Sequence, residues 1–233
     1  MPLKWAMYIS LATFPNFFVF HSVVCVYYHV VPFITRKRFA VTFVVATALL
    51  LGAFFLIAFN CPPTGIGFTQ AVRDLHRLKN RTAHPQESDF DDRVTLMSLS
   101  QPGDDTARWT ATRAARIEGY VVAVAAARPE STNCYWGCDT HIHIAARPDA
   151  PPREHMVLEV TPHLAAWARS QGLDWSVATL TRDLTGRWVR FEGWLMFDSG
   201  HDMESENIVP GRAGNWRVTA WEIHPVTKIE VIK

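Results

Sequence analysis

Histidines and acids recur in the second half of this chain at spacings that suit imidazole–carboxylate chemistry. Asp139, His141 and His143 alternate along one segment, Asp198 and His201 stand three apart, and Glu222 and His224 alternate near the end. Alternate residues share one face of a strand. Imidazole and carboxylate are the donors that borderline divalent metals take, and three or four that converge make a site. The candidate ligands are therefore Asp139, His141, Asp198, His201 and His224, with zinc as the ion they suit. No H-E-x-x-H and no paired C-x-x-C accompanies them. The simpler reading has no cofactor and no catalytic residue: the same groups are hydrogen-bonded or solvated polar positions on half-buried strands. A third reading uses them in acid–base catalysis.

The aromatic residues suggest binding. Trp188, Arg190 and Trp194 share the face of one strand opposite Val189, Phe191 and Leu195, and Tyr135 and Trp136 sit together in a loop. Exposed rings beside an arginine can stack on bases or sugars. Against this, tryptophan is often partly buried, and these rings have a helical segment to pack on.

Cys134 and Cys138 flank Tyr135-Trp136-Gly137, where the glycine permits a tight turn. A disulfide between them fits an oxidising compartment. Free thiols and half of a metal site are the alternatives, and no second Cys pair completes the latter.

The elements that must position these residues begin at Arg116. Ile117–Val124 is rich in strand formers, Asp139–Ala145 alternates cleanly, and Met156, Leu158 and Val160 share one side of a third strand. The period then lengthens over His163–Arg169 and Asp174–Leu184, with Asp174 placed as an N-cap and Gly186 as the residue beyond the C-cap. Arg187–Phe197 returns to strand. Arg217–His224 and Thr227–Ile232 form the last one, bent at Pro225.

Three strands, a helical insert and two strands is an order that resembles the OB-fold, a five-stranded Greek-key barrel with a helix between strands three and four. Gly119 and Gly193 stand where small barrels bend. A small sandwich is the alternative. Trp221-Glu222-Ile223-His224-Pro225-Val226-Thr227, the Asp139/His141 strand and Phe197-Asp198-Ser199-Gly200-His201 are similar to segments of uncharacterised bacterial OB-like domains. That likeness implies a fold and no activity. Leu158-Glu159-Val160-Thr161-Pro162 slightly resembles the acidic segment of staphylococcal-type nucleases, OB barrels with a carboxylate-bound calcium. Here the acid is displaced by one position, and only Glu159 and Thr161 are suggested as oxygen ligands.

The first sixty residues have a different character. Phe39–Phe59 carries no charge, proline or amide, and at 1.5 Å per residue it covers the roughly 30 Å of a bilayer core. A second apolar stretch, Trp5–Ile34, precedes it. It is too long for the core of a signal peptide, and no small-x-small cleavage site follows. Two membrane spans in a hairpin, residues 1–60, are therefore expected. His21, Cys25 and His29 form one stripe of the first span and read as packing or interfacial positions, since the second span offers no facing histidine. Between the spans lies Arg36-Lys37-Arg38, and short basic loops stay in the cytoplasm. Arg73, Arg77, Lys79 and Arg81 pull the other way but lie further from a span. The C-terminal domain is thus expected outside, in a bacterium the periplasm.

Residues 61–115 read as a connector, partly disordered, with a short interfacial helix over Gln70–Lys79. Residues 116–233 form the barrel. The net charge of +1 excludes a strong general attraction to nucleic acid or anionic lipid. The combined expectation is a non-enzymatic, membrane-anchored OB-like module that meets a protein or a glycan. The alternative is a metal-dependent hydrolase. Nucleic acid becomes a partner only if the domain is cytoplasmic.

Overall fold

The computed structural model describes residues 36–59 and 61–232. The chain divides into two units, Met1–Leu56 and Ile57–Lys233. Arg36–Phe59, which runs across that boundary, is one helix of 24 residues (α1) with no acid in its first turn. The described side chains of α1 cover 41–52. Among the described residues, no helix is long and apolar enough to cross a membrane. The expected span Trp5–Ile34, with His21, Cys25 and His29, lies outside the described residues.

The second unit is built on five strands: β1 (Ala114–Ala126), β2 (Thr140–Ala145), β3 (Met156–Val160), β4 (Trp188–Phe197) and β5 (Trp221–Val231). They close into a barrel in the order β1-β2-β3-β5-β4. All pairs are antiparallel except β3 with β5, which run parallel at Leu158↔Ile223. One long strand makes closure possible, because Ala114–Tyr120 pairs with β4 and Tyr120–Ala126 with β2. Two glycines let the backbones approach. A Cβ on Gly119 would sit 2.9 Å from Ile144 Cδ1, and one on Gly193 would strike Pro225 O and Ile223 Cγ2. Gly193 falls where the β4–β5 register shifts, so the side-chain-free position and the irregular pairing coincide. The last strand runs through Pro225 without a break, with a cis peptide at His224–Pro225.

Alternation places Ile117, Val121, Ile142, Ile144, Leu158, Phe191, Leu195 and Ile223 in one core. Between β3 and β4 lie α4 (Pro162–Ser170) and α5 (Val177–Leu184), the expected helical insert. Thr161 caps α4 by accepting from Leu164 N, and Pro162 occupies the first turn, where a missing N–H costs nothing. Ser176, rather than the expected Asp174, caps α5; Asp174 braces that cap through Ser176 N and the Thr179 hydroxyl. Gly186 has φ +83°, as a residue beyond a helix C-cap requires. Leu164, Ala168, Leu180 and Leu184 complete the core from this side.

The segment expected as a partly disordered connector is instead built into this unit. It contains α2 (Gln70–Lys79) and α3 (Leu96–Leu99), and Val94, Leu96 and Leu99 belong to the barrel core. Helix α2 forms where an interfacial helix is expected, but His76 and Lys79 are buried against protein. Arg81 explains part of the order. Its guanidinium donates to the carbonyls of Leu78, Ala111, Leu195 and His224, joining the segment to β4 and β5. Asp105, fully buried, accepts from Asn207 and Thr219 and offers its carbonyl to the Trp221 indole. Polar side chains scattered along a sequence without period thus supply backbone partners, a pattern that hydrophobic periodicity cannot signal.

The disulfide also departs from expectation. Cys134 pairs with Cys61, with Cα atoms 5.8 Å apart, and Cys138 is a free thiol. Cys134 and Tyr135 both have positive φ, which folds the loop back so that Cys134 is buried against the start of the 61–80 segment. Ile66 N bonds Ser131 O and Asn80 Nδ2 bonds Thr132 O at the same junction.

Candidate functional site

Because the apolar residues of β2, β3 and β5 point inward, His141, His143, Glu159, Glu222 and His224 point outward on adjacent strands. His141 and Glu159 are register partners, and the parallel β3–β5 pairing brings His224 beside Glu159. An outward face is ordinarily wet. Here it is covered by the 61–81 segment and by the 198–220 loop, so Glu159, Glu222 and His224 are all buried.

The buried groups form a chain of contacts. His201 Nδ1 lies 2.7 Å from Asp198 Oδ2, and Arg217 Nη1 donates to the same oxygen at 3.0 Å. Arg217 Nη2 donates to Glu222 Oε1, and its Nε donates to Thr219 O at 2.8 Å. Glu222 Oε2 meets His224 Nδ1 at 3.3 Å. His224 Nδ1 is also 3.1 Å from Glu159 Oε2, and Glu159 Oε1 is 3.1 Å from His141 Nε2. The last two approaches are close without hydrogen-bond alignment. His141 Nε2 and Glu159 Oε2 are therefore buried with no hydrogen-bond partner, and His224 Nε2 and Asp139 Oδ2 are buried without one as well. Asp139 precedes β2 and receives only Asn133 Nδ2, at 3.0 Å on Oδ1. One ligand atom from each of Asp139, Glu159 and His224 lies within 4.8 Å of the others.

Charge follows from this geometry. Burial alone would raise Glu159, but the His224 and His141 imidazoles and Lys79 outweigh it and hold the carboxyl well below its usual range. Asp139 goes the other way. Burial pushes it up to about 6, with His224 drawing it back, Glu159 adding to the rise and Asn133 opposing it. Asp198 is held low against its burial by His201, Arg217 and Lys79. His224 and His141 are raised despite burial, chiefly by Glu159. Hydrogen bonding to Asp198 raises His201. His143 is lowered to about 4 by burial and by the neighbouring His141, His155 and Arg217. Lys79 is raised although burial lowers it, because Glu159, Glu130, Glu222 and Asp198 surround it.

At the rim the side chains are partly open. His143 packs 5.9 Å from both His155 and Trp216, and His201 lies 5.8 Å from Trp216, ring centre to ring centre.

Of the five expected ligands, Asp139 and His224 meet, joined by Glu159 rather than by a further histidine. His141 contacts Glu159 from the side. Asp198 and His201 pair with each other and are separated from His224 by Arg217 and Glu222. Thr161, suggested by the nuclease-like segment, is committed to capping α4. Arg217, Lys79 and Asn133 are members that sequence reading misses. Glu159 was legible, since it shares strand parity with the outward residues and faces His141 across the pair.

The aromatic candidates do not make one surface. Tyr135 and Trp136 are exposed on the loop that Cys134 anchors. Trp188 packs edge-on to Tyr120 and, with Met97, Arg116 and Glu118, lines a surface hollow of about 420 Å³. Arg190 is paired with Glu118 and Glu230. Trp194 donates to Ala83 O and lies under the Arg81 guanidinium, 5.0 Å from its ring centre. Compared with protein-family models, with curated proteins and with solved structures, the chain matches none of them.

Proposed function

We propose that this chain is a membrane-anchored, non-enzymatic binding module: an OB-like barrel held on the extracytoplasmic side that recognises a protein or a glycan. The observation that carries it is the loop of Tyr135 and Trp136. Its two rings are 61% and 51% exposed, yet the adjoining Cys134 is bonded to Cys61. Partly exposed rings on a fixed backbone lose little conformational freedom on meeting a ligand, which favours binding.

Three further features support the reading. The strand order with a parallel β3–β5 closure and helices between β3 and β4 agrees with an OB-like barrel. A disulfide suits an oxidising compartment. Helix α1 has 24 residues and opens on the basic run Arg36-Lys37-Arg38. Its Val41, Leu49 and Leu50 are exposed, as residues that meet lipid would be.

The test has two arms. Reporter fusions after Lys233 should be active in an extracytoplasmic reporter and silent in a cytoplasmic one; the reverse pattern overturns the orientation. The purified full chain, in detergent, is then titrated with soluble oligosaccharides and peptides. Tyr135→Ala/Trp136→Ala should weaken the strongest binder about tenfold or more, on the scale of losing stacked rings. Unchanged affinity in the double variant rejects the loop as the binding surface.

A further inference from the structure

Four carboxylates lie on or beside the covered outward face of β2, β3 and β5: Glu159 on β3, Glu222 on β5, Asp139 just before β2 and Asp198 just after β4, and none is more than 5% exposed. The permanent cations buried among them are Lys79 and Arg217. Arg217 is committed to Asp198 and Glu222, and the ammonium of Lys79 bonds Glu130 at 3.1 Å. Lys79 acts on Glu159 and Asp139 through space, but among the described residues no lysine or arginine hydrogen-bonds to either carboxylate. Carboxylates taken out of water are ordinarily hydrogen-bonded as well as charge-compensated, and buried oxygens left without a donor are where a bound cation would be accommodated.

The orphaned atoms say where that charge would go. Asp139, Glu159 and His224 each carry a buried side-chain atom without a hydrogen-bond partner, and the three residues offer ligand atoms within 4.8 Å of one another. Around one ion with bonds of about 2.1 Å, ligand atoms sit roughly 3–4 Å apart, so a small inward shift closes the set. The surroundings match those of metal ligands. His224 turns Nδ1 to Glu222 at 3.3 Å and to Glu159 Oε2 at 3.1 Å, leaving Nε2 without a partner, and Asp139 Oδ1 is held by Asn133. A carboxylate on the far ring nitrogen fixes the tautomer and orientation of a ligating histidine, and a second hydrogen bond steadies a ligating carboxylate. Coordination would also satisfy polar atoms whose burial is otherwise uncompensated.

We infer that Asp139, Glu159 and His224 form a binding site for a divalent transition-metal ion of the zinc kind. This goes beyond the binding reading above and does not depend on it. Two oxygens and one imidazole nitrogen suit zinc and its neighbours better than calcium, which takes six to eight oxygens. The ion links the start of β2 to β3 and β5. His141, beside Glu159 and nearer the rim, marks the side from which an exchangeable ligand reaches it.

The full chain in detergent, stripped with a chelator and dialysed, is titrated with zinc by calorimetry and with cobalt as a visible-absorption probe. The expected result is one ion per chain. Asp139→Asn and His224→Gln should each weaken uptake about thirtyfold or more, while Asp198→Asn, His201→Ala and Cys138→Ser stay within about threefold, the range expected of ligand and non-ligand changes. Near-UV circular dichroism of the stripped variants identifies those that fold. Asp139→Asn, which conserves volume and the Asn133 contact, decides the matter if His224→Gln does not fold. Absence of stoichiometric uptake, or a folded Asp139→Asn that binds like the parent, overturns the site. Equal loss in Asp198→Asn overturns this choice of ligands.

Discussion

Arg217 Nη2 and Glu222 Oε1 lie 2.5 Å apart, and neither side chain is more than 1% exposed. The same guanidinium holds Asp198, so one buried fork compensates two carboxylates and joins the 198–220 loop to β5. Arg217→Met should leave both acids buried and unpaired, at a loss of about 3–5 kcal/mol. Arg217→Lys keeps the charge without the fork and should fall between parent and Met variant. Urea unfolding followed by tryptophan fluorescence measures both; a loss under about 1 kcal/mol for the Met variant would reject the assigned role.

Asp139 should make stability fall as pH rises. Its carboxyl is raised from 3.8 to about 6 in the folded chain, so the folded state binds the extra proton between those values. This contribution is complete below about pH 4 and lost as pH passes about 6. With a chelator present, Asp139→Asn should match the parent near pH 4 and exceed it above pH 6 by about 1–3 kcal/mol. Thermal unfolding at four pH values is sufficient, and a parent that is more stable than the variant at pH 7.5 would contradict the burial argument.

The two conserving substitutions at barrel glycines should differ. In Gly119→Ala the new methyl meets Ile144 at Cδ1 (2.9 Å) and at Cβ (3.0 Å), whereas in Gly193→Ala it meets the Pro225 carbonyl, Ile223 Cγ2 and Val226 Cα. The end of Ile144 can turn aside and its Cβ need give only slightly, while the Gly193 methyl overlaps paired backbone, so Gly193→Ala should cost about 2–3 kcal/mol and Gly119→Ala about half of that. Chemical unfolding of the two variants tests the order, and equal losses would refute it.

Cys61→Ser should cost about 4 kcal/mol, from a closed loop with a sequence separation of 73. Cys138→Ser, at a free and half-exposed position, should stay within about 0.5 kcal/mol. Peptide mapping without reductant should recover Cys61 joined to Cys134; recovery of a Cys134–Cys138 peptide would restore the pairing suggested by sequence.

Much of the barrel could be read from the chain because local period carried it. Alternation in Asp139–Ala145 and Arg187–Phe197, the longer period of the insert and the bend at Gly193 all survive in the structure. The site was legible only in pieces. Asp139, His141 and His224 stood out by residue type, but Glu159 joins His224 through the parallel β3–β5 pairing, which no local pattern announces. Lys79 and Arg217 come from segments without period, and their importance arises from burial beside carboxylates far away in sequence. Cys61 was obscured because Cys138 lay nearer to Cys134; a loop with two successive positive-φ residues decides the partner, and spacing alone does not reveal it.

The bond from Cys61 to Cys134 closes a loop of chain that contains α2, α3 and all of β1. A protease that cuts at the exposed residues 101–104 would sever the main chain without releasing either piece. On a gel without reductant such a nicked molecule would migrate as though intact, and only a thiol would reveal that it had been cleaved.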